Sequence, residues 1–343
     1  MSFQLSCRRY RLPFLRPART AHGPWEERAG LLVRLSDGEG RVGYGEVAPI
    51  PWFGSETLED AEAALVRLGE RCDAAALDRI EARLGCVRFA LAAARASTVP
   101  APAPAGRIPV AALLPAGRDA LAAADRAVAA GWVAFKWKVG VGADADEQAL
   151  LDDLLARLPG PAKLRLDANG AWTAPRAGQW LTRCADRPIE FVEQPCLAGA
   201  AASDAEKRRV DDALRGLAED YPTPVALDES VSGLAGLRSW LERGWRGVCV
   251  IKPALVGTGG DLEALLGRFR ADVVFSSALE TAVGRQAALR TGFRLAGSSP
   301  RALGFGVTPL FRDARFDGPP AQPLVSSADV EQMNPEAVWN ALS

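Results

Sequence analysis

The sequence predicts an α/β protein in which a parallel β/α barrel follows an N-terminal α+β domain. The chain has 343 residues, enough for one barrel of roughly 250 residues and a smaller module. From residue 108 onward, short apolar segments alternate with alanine- and leucine-rich segments seven or eight times, which indicates a parallel sheet. This count favours a closed barrel. An open doubly wound sheet is the weaker alternative, because no Gly-x-Gly-x-x-Gly follows the first strand.

The first hundred residues have a different pattern. Gly30–Glu46 predicts two strands joined by a turn at Asp37-Gly38 and Gly40. Thr57 is suited to cap the next helix, and helical periodicity follows over Ala61–Leu68 and Leu77–Ala96. Together these segments predict an α+β unit.

A short Pro/Ala stretch, Val99–Gly106, is stiff and extended in character and is the best candidate for a linker. We therefore expect a first domain over residues 1–100 and a barrel over residues 101–309. Residues 310–343 are expected to return to the first domain.

The barrel segments are predicted from apolar runs and helical periodicity. The predicted strands are Ile108–Leu114, Val133–Val139, Leu164–Asp167, Glu190–Glu193, Val225–Asp228, Val248–Ile251, Val273–Ser276 and Leu303–Val307. The predicted helices are Asp119–Ala130, Ala145–Leu158, Asp204–Ala218, Leu234–Arg243, Asp261–Phe269 and Gly284–Ala296.

Composition excludes several classes of function. The formal net charge is −1, which argues against bulk electrostatic capture of nucleic acid or an anionic membrane. No run approaches the ~18 consecutive apolar residues of a membrane span, and we expect a soluble, cytoplasmic protein. His22 is the only histidine, so zinc sites with two histidines are excluded. The six cysteines include no Cys-x-x-Cys pair. Proton chemistry must therefore use lysines, carboxylates or a hard metal.

Polar residues stand at the ends of successive predicted strands, where parallel barrels carry their active sites. Acids end strands three, four and five, and lysines end the strands on either side. In chain order these residues are Lys136 and Lys138, Asp167, Glu193, Asp228 and Lys252. Because the spacing between them is about one βα unit, we expect all of them to converge on one rim.

This combination predicts a metal-assisted proton transfer. Three neighbouring carboxylates repel one another unless a cation lies between them. Oxygen ligands with open positions suit Mg2+, which stabilises the enediolate formed when the carbon next to a carboxylate loses its proton. A lysine base needs a lowered pKa, and Lys138 has the metal and Lys136 as positively charged neighbours.

Further residues are candidates for substrate binding or for support of the site. Lys136 either orients Lys138 or fills the barrel mouth, and Asn169 either contacts the site or forms a turn. Glu229 is expected to point away from the face that Asp228 occupies, since it is the next residue. Ser276 and Ser277 either bind a substrate carboxylate or cap a helix.

Two residues of the first domain are candidates for a lid over the barrel. His22 lies in a polar loop flanked by Gly and Pro and is expected to face solvent. Trp52 lies in Pro49–Gly54, between prolines and a glycine. It belongs either to the core or to a lid, and the sequence leaves both open.

These residues resemble the enolase superfamily, in its muconate-lactonizing-enzyme-like branch. The resemblance covers both domains, with Gly43–Pro49 as the signature of the capping domain and the strand-end lysines and acids as that of the barrel. Leu166–Trp172, Ile251–Gly257 and Phe275–Thr281 are most similar to the o-succinylbenzoate synthase family. The resemblance implies a modified (β/α)7β barrel beside an α+β capping domain.

The resemblance also implies roles for the rim residues. Asp167, Glu193 and Asp228 would bind Mg2+, with Mn2+ as a substitute. Lys138 would be the general base and then the acid of a syn elimination, and Lys252 would stabilise the enediolate. The implied reaction is the dehydration of 2-succinyl-6-hydroxy-2,4-cyclohexadiene-1-carboxylate to o-succinylbenzoate, a hydro-lyase step of menaquinone and phylloquinone biosynthesis.

Other functions are compatible with parts of the pattern. An N-acylamino acid racemase or dipeptide epimerase would use Lys138 and Lys252 as bases on opposite faces of the substrate. A non-catalytic barrel that binds acidic ligands needs no complete set of lysines and carboxylates, and a Schiff-base aldolase needs a buried lysine without three acids. The partner expected in each case is a small-molecule carboxylate, and the oligomeric state is left open.

Overall fold

Two sheets organise the computed structural model, which describes residues 2–20, 23–99, 106–296 and 301–342. The first sheet is antiparallel, with strand order β3-β2-β1-β4. The elements of this N-terminal part are β1 (Ser2–Thr20), β2 (Gly23–Asp37), β3 (Val42–Val47), α1 (Leu58–Leu68), β4 (Arg71–Asp73), α2 (Ala74–Asp78) and α3 (Gly85–Ser97). His22 and residues 100–105 of the expected linker lie outside the described residues.

The β2–β3 hairpin confirms the predicted strand pair. The Asp37 carboxylate accepts from the backbone amides of Glu39 and Arg41, which closes the turn between the strands. Strand β1 was not predicted. Its first half buries Phe3 and Leu5 in the core beneath the N-terminal helices, whereas its second half buries even-numbered residues against the C-terminal segment. Because the buried face changes along β1, no single pattern of alternating apolar and polar residues predicts the whole strand.

The single helix expected over Leu77–Ala96 is wrong, because the chain forms α2 and α3 with a turn between them. Asp73 caps the first of these helices through the backbone amide of Ala76. Gly85 begins the second helix at a close crossing, where an added Cβ would lie 2.5 Å from the carbonyl oxygen of Leu255. Only glycine permits this approach.

The second sheet is a parallel barrel built from alternating strands and helices. Its elements are β5 (Arg107–Leu114), α4 (Asp119–Ala129), β6 (Ala134–Lys138), α5 (Asp144–Leu155), β7 (Lys163–Asp167), α6 (Ala174–Cys184), β8 (Ile189–Glu193), α7 (Asp204–Asp220), β9 (Val225–Leu227), α8 (Gly233–Glu242), β10 (Val248–Ile251), α9 (Gly259–Phe269), β11 (Val273–Phe275), α10 (Ala282–Leu295) and β12 (Leu303–Gly306).

Within the described residues, seven parallel strands follow one another in chain order from β5 to β11, and an eighth strand, β12, pairs with β5. A parallel bridge between Ser276 and Gly304 nearly completes the barrel. The predicted (β/α)7β barrel with an antiparallel N-terminal domain is therefore confirmed. Helix α6 was not predicted, because its glycine, proline and arginine residues obscure the apolar face that Trp180 and Leu181 bury. Strands β9 and β11 each end one residue earlier than expected, before Asp228 and before Ser276.

The C-terminal segment contacts both sheets. It contains β13 (Leu324–Ser326), α11 (Ser327–Glu331) and α12 (Pro335–Ala341). Strand β13 pairs antiparallel with β5 of the barrel, while Arg8 donates to the carbonyl of Trp339 at 2.6 Å and Phe14 stacks on Phe311 at 5.7 Å. The domain bounds at residues 100 and 309 stay a prediction. In the described ranges, no helix has the length and apolar character needed to cross a membrane.

Candidate active site

A cavity of about 1350 Å³ lies at the carboxyl ends of the barrel strands, with residues of β1 and β2 on its far wall. The predicted site residues that line it are Lys136, Lys138, Asp167, Asn169, Asp228, Glu229, Lys252, Ser276 and Ser277. Glu193 is only 1% exposed and lies beneath this surface, in contact with Lys136. The expected convergence on one rim is therefore found in the structure.

Lysines and carboxylates are interleaved at the floor of the cavity. The Lys136 ammonium lies 2.8 Å from Asp167 Oδ2 and 2.7 Å from Glu193 Oε1, so it bridges strands β7 and β8. Lys252 forms an ion pair with Asp228. Lys138 is the last residue of β6, in register with Asp167, and it shares its face of the strand with Lys136.

Burial dominates the electrostatics of this floor. Burial raises the pKa of Glu193 to about 8, and although Lys136 opposes this shift, the carboxylates of Asp167 and Asp228 reinforce it. Burial alone would lower the pKa of Lys136, but the three surrounding carboxylates outweigh burial and raise it above its usual range. The floor therefore favours cations strongly and tolerates added negative charge poorly.

Gln194 is a further residue of the site, which the strand-end pattern of lysines and acids does not predict. Its backbone is left-handed, with φ of 38°. Its side-chain oxygen accepts from the backbone amides of Asp228 and Ser230 at 3.0 and 3.1 Å, and its amide nitrogen donates to Ser230 Oγ at 2.7 Å. One buried side chain thus fixes the end of β8 to the end of β9 and orients Asp228. The Glu-Gln-Pro sequence at the end of β8 is the sequence feature that could have indicated this role of Gln194.

Glu229 does not point away from the cavity, and the expectation that it would is wrong. The strand has ended at Leu227, and Glu229 begins a 3-10 turn, so strand alternation does not apply. Its carboxylate accepts from Asn169 Nδ2 at 3.1 Å, while its second oxygen has no hydrogen-bond partner among the described residues. Burial, with the charges of Asp228 and Asp167, raises the pKa of Glu229 to about 7. Asn169 both forms a left-handed turn, at φ of 43°, and contacts the site.

The two serines after β11 form the opposite wall. Ser276 Oγ donates to the carbonyl of Gly304 at 3.2 Å, across the seam of the barrel. Ser277 Oγ donates to Glu280 at 3.1 Å and accepts from the amide of Leu279 at 2.9 Å. These bonds shape the loop Ser276–Thr281 so that both serines line the cavity.

The Pro51–Phe53 turn brings two aromatic rings to the cavity. The Phe53 ring lies 4.0 Å from Lys252 Nζ, a cation–π contact. Trp52 is 43% exposed and packs edge-on against Trp25 at 4.9 Å. The core alternative for Trp52 does not fit this exposure.

The donor set suits a hard divalent cation. Asp167, Glu193 and Asp228 offer carboxylate oxygens only, and Glu229 adds a buried Oε2 that has no hydrogen-bond partner within the described part of the chain. Across residues 2–20, 23–99, 106–296 and 301–342, no three Asp, Glu, His or Cys side chains converge closely enough to ligate one ion. In the structure, the Lys136 ammonium lies between the carboxylates of Asp167 and Glu193.

A parallel barrel with lysines and acids at the carboxyl ends of its strands, partly covered by an antiparallel N-terminal sheet, defines the class: an α/β-barrel enzyme of the enolase type. Family models agree in both halves of the chain. Residues 119–310 match the model of the enolase C-terminal domain-like family, and residues 4–98 match the model of the MenC N-terminal domain.

Individual relatives narrow this class. The chain is 42% identical to the o-succinylbenzoate synthase of Thermosynechococcus vestitus over 304 residues, covering 87% of this chain and 90% of that protein. The structure of o-succinylbenzoate synthase from Thermosynechococcus elongatus BP-1, complexed with Mg in the active site, superposes with a TM-score of 0.83 at 36% identity, covering 98% of this chain and 99% of the other. The chain belongs to the o-succinylbenzoate synthase family of the enolase superfamily. The resemblance inferred from its motifs is thereby confirmed.

A second solved structure shares the fold alone. The Mg- and dipeptide-bound dipeptide epimerase of Enterococcus faecalis V583 superposes with a TM-score of 0.79 at 22% identity, covering 95% of this chain and 97% of the other. The same scaffold therefore carries more than one named activity.

Proposed function

We propose that this chain is a hydro-lyase that converts 2-succinyl-6-hydroxy-2,4-cyclohexadiene-1-carboxylate to o-succinylbenzoate by Mg2+-dependent syn dehydration. One observation carries the assignment of roles. Lys138 ends β6 and Lys252 follows β10, and these strands lie four apart in the eight-strand order and therefore face each other. Asp167 and Glu193 end β7 and β8, and Asp228 follows β9; these three strands lie between the two lysine strands on one side of the barrel.

The three acids would hold the metal. They are the oxygen ligands that Mg2+ prefers, and Mn2+ would substitute for it. When bound, the ion supplies positive charge beside the substrate carboxylate and so lowers the free energy of charge that develops there. Gln194 keeps Asp228 oriented through the backbone of the β9 end.

Lys138 carries both proton transfers. Its neutral amine takes the proton from C1, the ring carbon that bears the carboxylate, and the C1–H electron pair moves into the enediolate. The resulting ammonium then protonates the hydroxyl on C6 from the same face, the C6–O bond breaks, and water leaves as the ring becomes aromatic. One residue serves as base and acid because both groups leave from one face.

Lys252 faces Lys138 from the other side of the cavity. Asp228 and the Phe53 ring hold its ammonium in place. There it stabilises the enediolate by charge, without exchanging a proton with the substrate.

Substitutions at the two lysines test these roles. Lys138→Ala should abolish formation of o-succinylbenzoate, measured by ultraviolet absorbance. Lys252→Ala should lower the rate by about 10²–10³, and Lys252→Arg should recover part of it because only positive charge is required. Equal loss in the arginine and alanine variants would contradict the charge role of Lys252.

An N-acylamino acid racemase or dipeptide epimerase is the second candidate, favoured by the same pair of facing lysines. Racemisation needs a proton-transfer group on each face, so Lys252→Arg would stay inactive in both directions. In heavy water a two-base enzyme exchanges the α-proton of its substrate. Exchange and racemisation of N-acylamino acids, with no o-succinylbenzoate formed, would overturn the synthase assignment.

Compartment and partners belong to the same proposal. We place the enzyme in the cytoplasm, since all six cysteines, each within the described residues, are free thiols, as a reducing compartment requires. Its partner is a small-molecule carboxylate. The net charge of −1 argues against nucleic acid or anionic membrane as a ligand.

A further inference from the structure

Glu46, from the signature segment Gly43–Pro49, caps a barrel helix from the neighbouring domain. It is fully buried, and its carboxylate accepts from the backbone amides of Thr281 and Gly284 at 3.0 and 2.9 Å. The hydroxyls of Tyr10 and Thr281 donate to the same carboxylate. The first turn of α10 thus obtains its acceptor from β3, and a carboxylate is favourable at a helix N-terminus.

Arg28 makes a second connection between the same parts of the molecule. It lies on β2, is 1% exposed and stacks over Trp25 at 5.1 Å. Its guanidinium donates to the carbonyl of Pro49 at 2.7 Å and to that of Ala48, while its Nε donates to the carbonyl of Leu279 at 3.2 Å. A single planar group therefore holds two separate loops at once, a geometry that lysine cannot reproduce.

Both loops end at the cavity. Pro49 leads directly into the Pro51–Phe53 turn, whose aromatic rings line the cavity. The ring of Phe53 also contacts Lys252. Leu279, with φ of 59°, ends the stretch that begins with Ser276. The side chains of Arg28 and Glu46 lie behind these loops and do not line the cavity themselves.

We propose that Arg28 and Glu46 are positioning residues, which fix the Ser276–Thr281 loop from the capping domain and join it to the Trp52–Phe53 segment. The two walls of the cavity are then placed relative to each other by one buried network. The identity of the substrate that the two walls enclose rests on the proposed function. The buried network of Arg28 and Glu46 does not depend on it. It gives the capping-domain signature a role in substrate binding rather than in chemistry.

Arg28→Lys tests the proposal, with Arg165→Lys as the matched control. Arg165 is also a strand arginine, is also 1% exposed and also stacks over a ring, that of Phe191 at 4.9 Å, but it contacts Glu190 rather than the cavity loops. We expect Arg28→Lys to lower kcat/KM by about 10- to 100-fold, mainly through KM, since the misplaced walls bind substrate while the lysines stay in place. Arg165→Lys should leave the KM of the folded enzyme unchanged.

Amide hydrogen exchange gives a readout that needs no turnover. Exchange at residues 276–281 should increase in Arg28→Lys and not in Arg165→Lys. Glu46→Gln, which replaces one accepting oxygen by an amide nitrogen, should increase exchange at the same residues and serves if Arg28→Lys does not fold.

Two outcomes separate the hypotheses. Unchanged KM and unchanged exchange in Arg28→Lys and Glu46→Gln, with stability loss alone, would overturn the positioning role. A wild-type enzyme that forms no o-succinylbenzoate would overturn the proposed function, and the exchange comparison would still decide the positioning role.

Discussion

Glu190 and Glu193 lie three residues apart on β8, and their carboxyl groups behave in opposite ways. Burial raises the pKa of Glu193 to about 8. Burial also acts to raise the pKa of Glu190, but Arg165 and Arg301 outweigh it and hold that pKa below its usual range. The two ends of one strand thus stand in contrasting electrostatic surroundings.

The surroundings differ in how completely the charges are paired. At the amino end of the barrel, Glu190 forms ion pairs with Arg165 and Arg301, both at 2.7 Å. Arg301 also donates two hydrogen bonds to the carboxylate of Asp272. At the carboxyl end, one lysine serves both Asp167 and Glu193, and Glu229 keeps an oxygen without a partner among the described residues.

This difference indicates what each end is for. A matched set of arginines and acids with fork geometry contributes to stability. A cluster in which acids share their cations is costly for the fold and is retained where a substrate or metal must be bound. The same residue type on the same strand therefore predicts opposite results when it is neutralised.

Of the two substitutions on β8, Glu193→Gln should have the larger effect on activity. Removing one metal-binding carboxylate should lower kcat by a factor of about 10³ or more, since the metal then binds weakly and the developing charge loses its main stabiliser. In chelator-treated protein, the thermal midpoint should stay the same or rise, because one of several repelling acids is gone. Enzyme assays and thermal unfolding with and without Mg2+ measure both.

Chelation of the wild-type enzyme is the control. Exhaustive chelation should abolish turnover, and Mg2+ or Mn2+ should restore it. A wild-type rate that survives chelation, or a Mg2+-dependent rise in thermal midpoint that persists in Glu193→Gln, would refute the assignment of Glu193 as a ligand.

Glu190→Gln should do the reverse. It leaves the buried Arg165 without its carboxylate and the half-buried Arg301 with Asp272 alone, and breaking a buried pair such as Arg165–Glu190 lowers the free energy of unfolding by about 3–5 kcal/mol. The turnover number per folded molecule should not change, since Glu190 lies at the other end of the barrel. Denaturant unfolding and active-enzyme titration measure the two quantities, and a fall in kcat below the unfolding temperature would contradict the contrast between the two ends.

Acidification should reduce the difference in free energy of unfolding between wild type and Glu190→Gln. Because the folded-state pKa of Glu190 is lowered, its contribution to stability is complete above the unfolded-state pKa of about 4.3 and is lost as the pH falls through the folded-state pKa. The difference in free energy of unfolding should therefore be largest near neutral pH and shrink below pH ~4. A difference that is constant with pH would mean that Glu190 stabilises the fold by packing rather than by charge.

The rim could be predicted from the sequence because barrel geometry converts spacing along the chain into proximity. Lys138, Asp167 and Glu193 end consecutive strands, and every parallel strand presents its carboxyl end at the same rim. Glu229 was misplaced because the strand stops before it, and where a strand stops depends on hydrogen bonds to neighbouring strands.

The connections between distant segments could not be predicted in the same way. Arg28 and Glu46 act on residues more than 200 positions further along the chain, and no local pattern marks such contacts. The amino-end network has the same character, since Arg301 reaches Glu190 across 111 positions. The face change within β1 likewise depends on which segment packs against each half of the strand.

Trp52→Ala should have the smallest effect. It distinguishes the contribution of the aromatic side chain over the cavity from that of the charged residues at the rim. Trp52 lines the cavity and packs on Trp25. Loss of one aromatic contact corresponds to about 0.5–1.5 kcal/mol, so KM should rise by about 2- to 10-fold with kcat nearly unchanged. The matched control is Leu324→Ala, because Leu324 is similarly exposed, at 47%, but lies on β13 beside the amino part of β5. If Trp52→Ala lowered the thermal midpoint and left KM at the wild-type value, Trp52 would be a packing residue, and charge alone would define the rim.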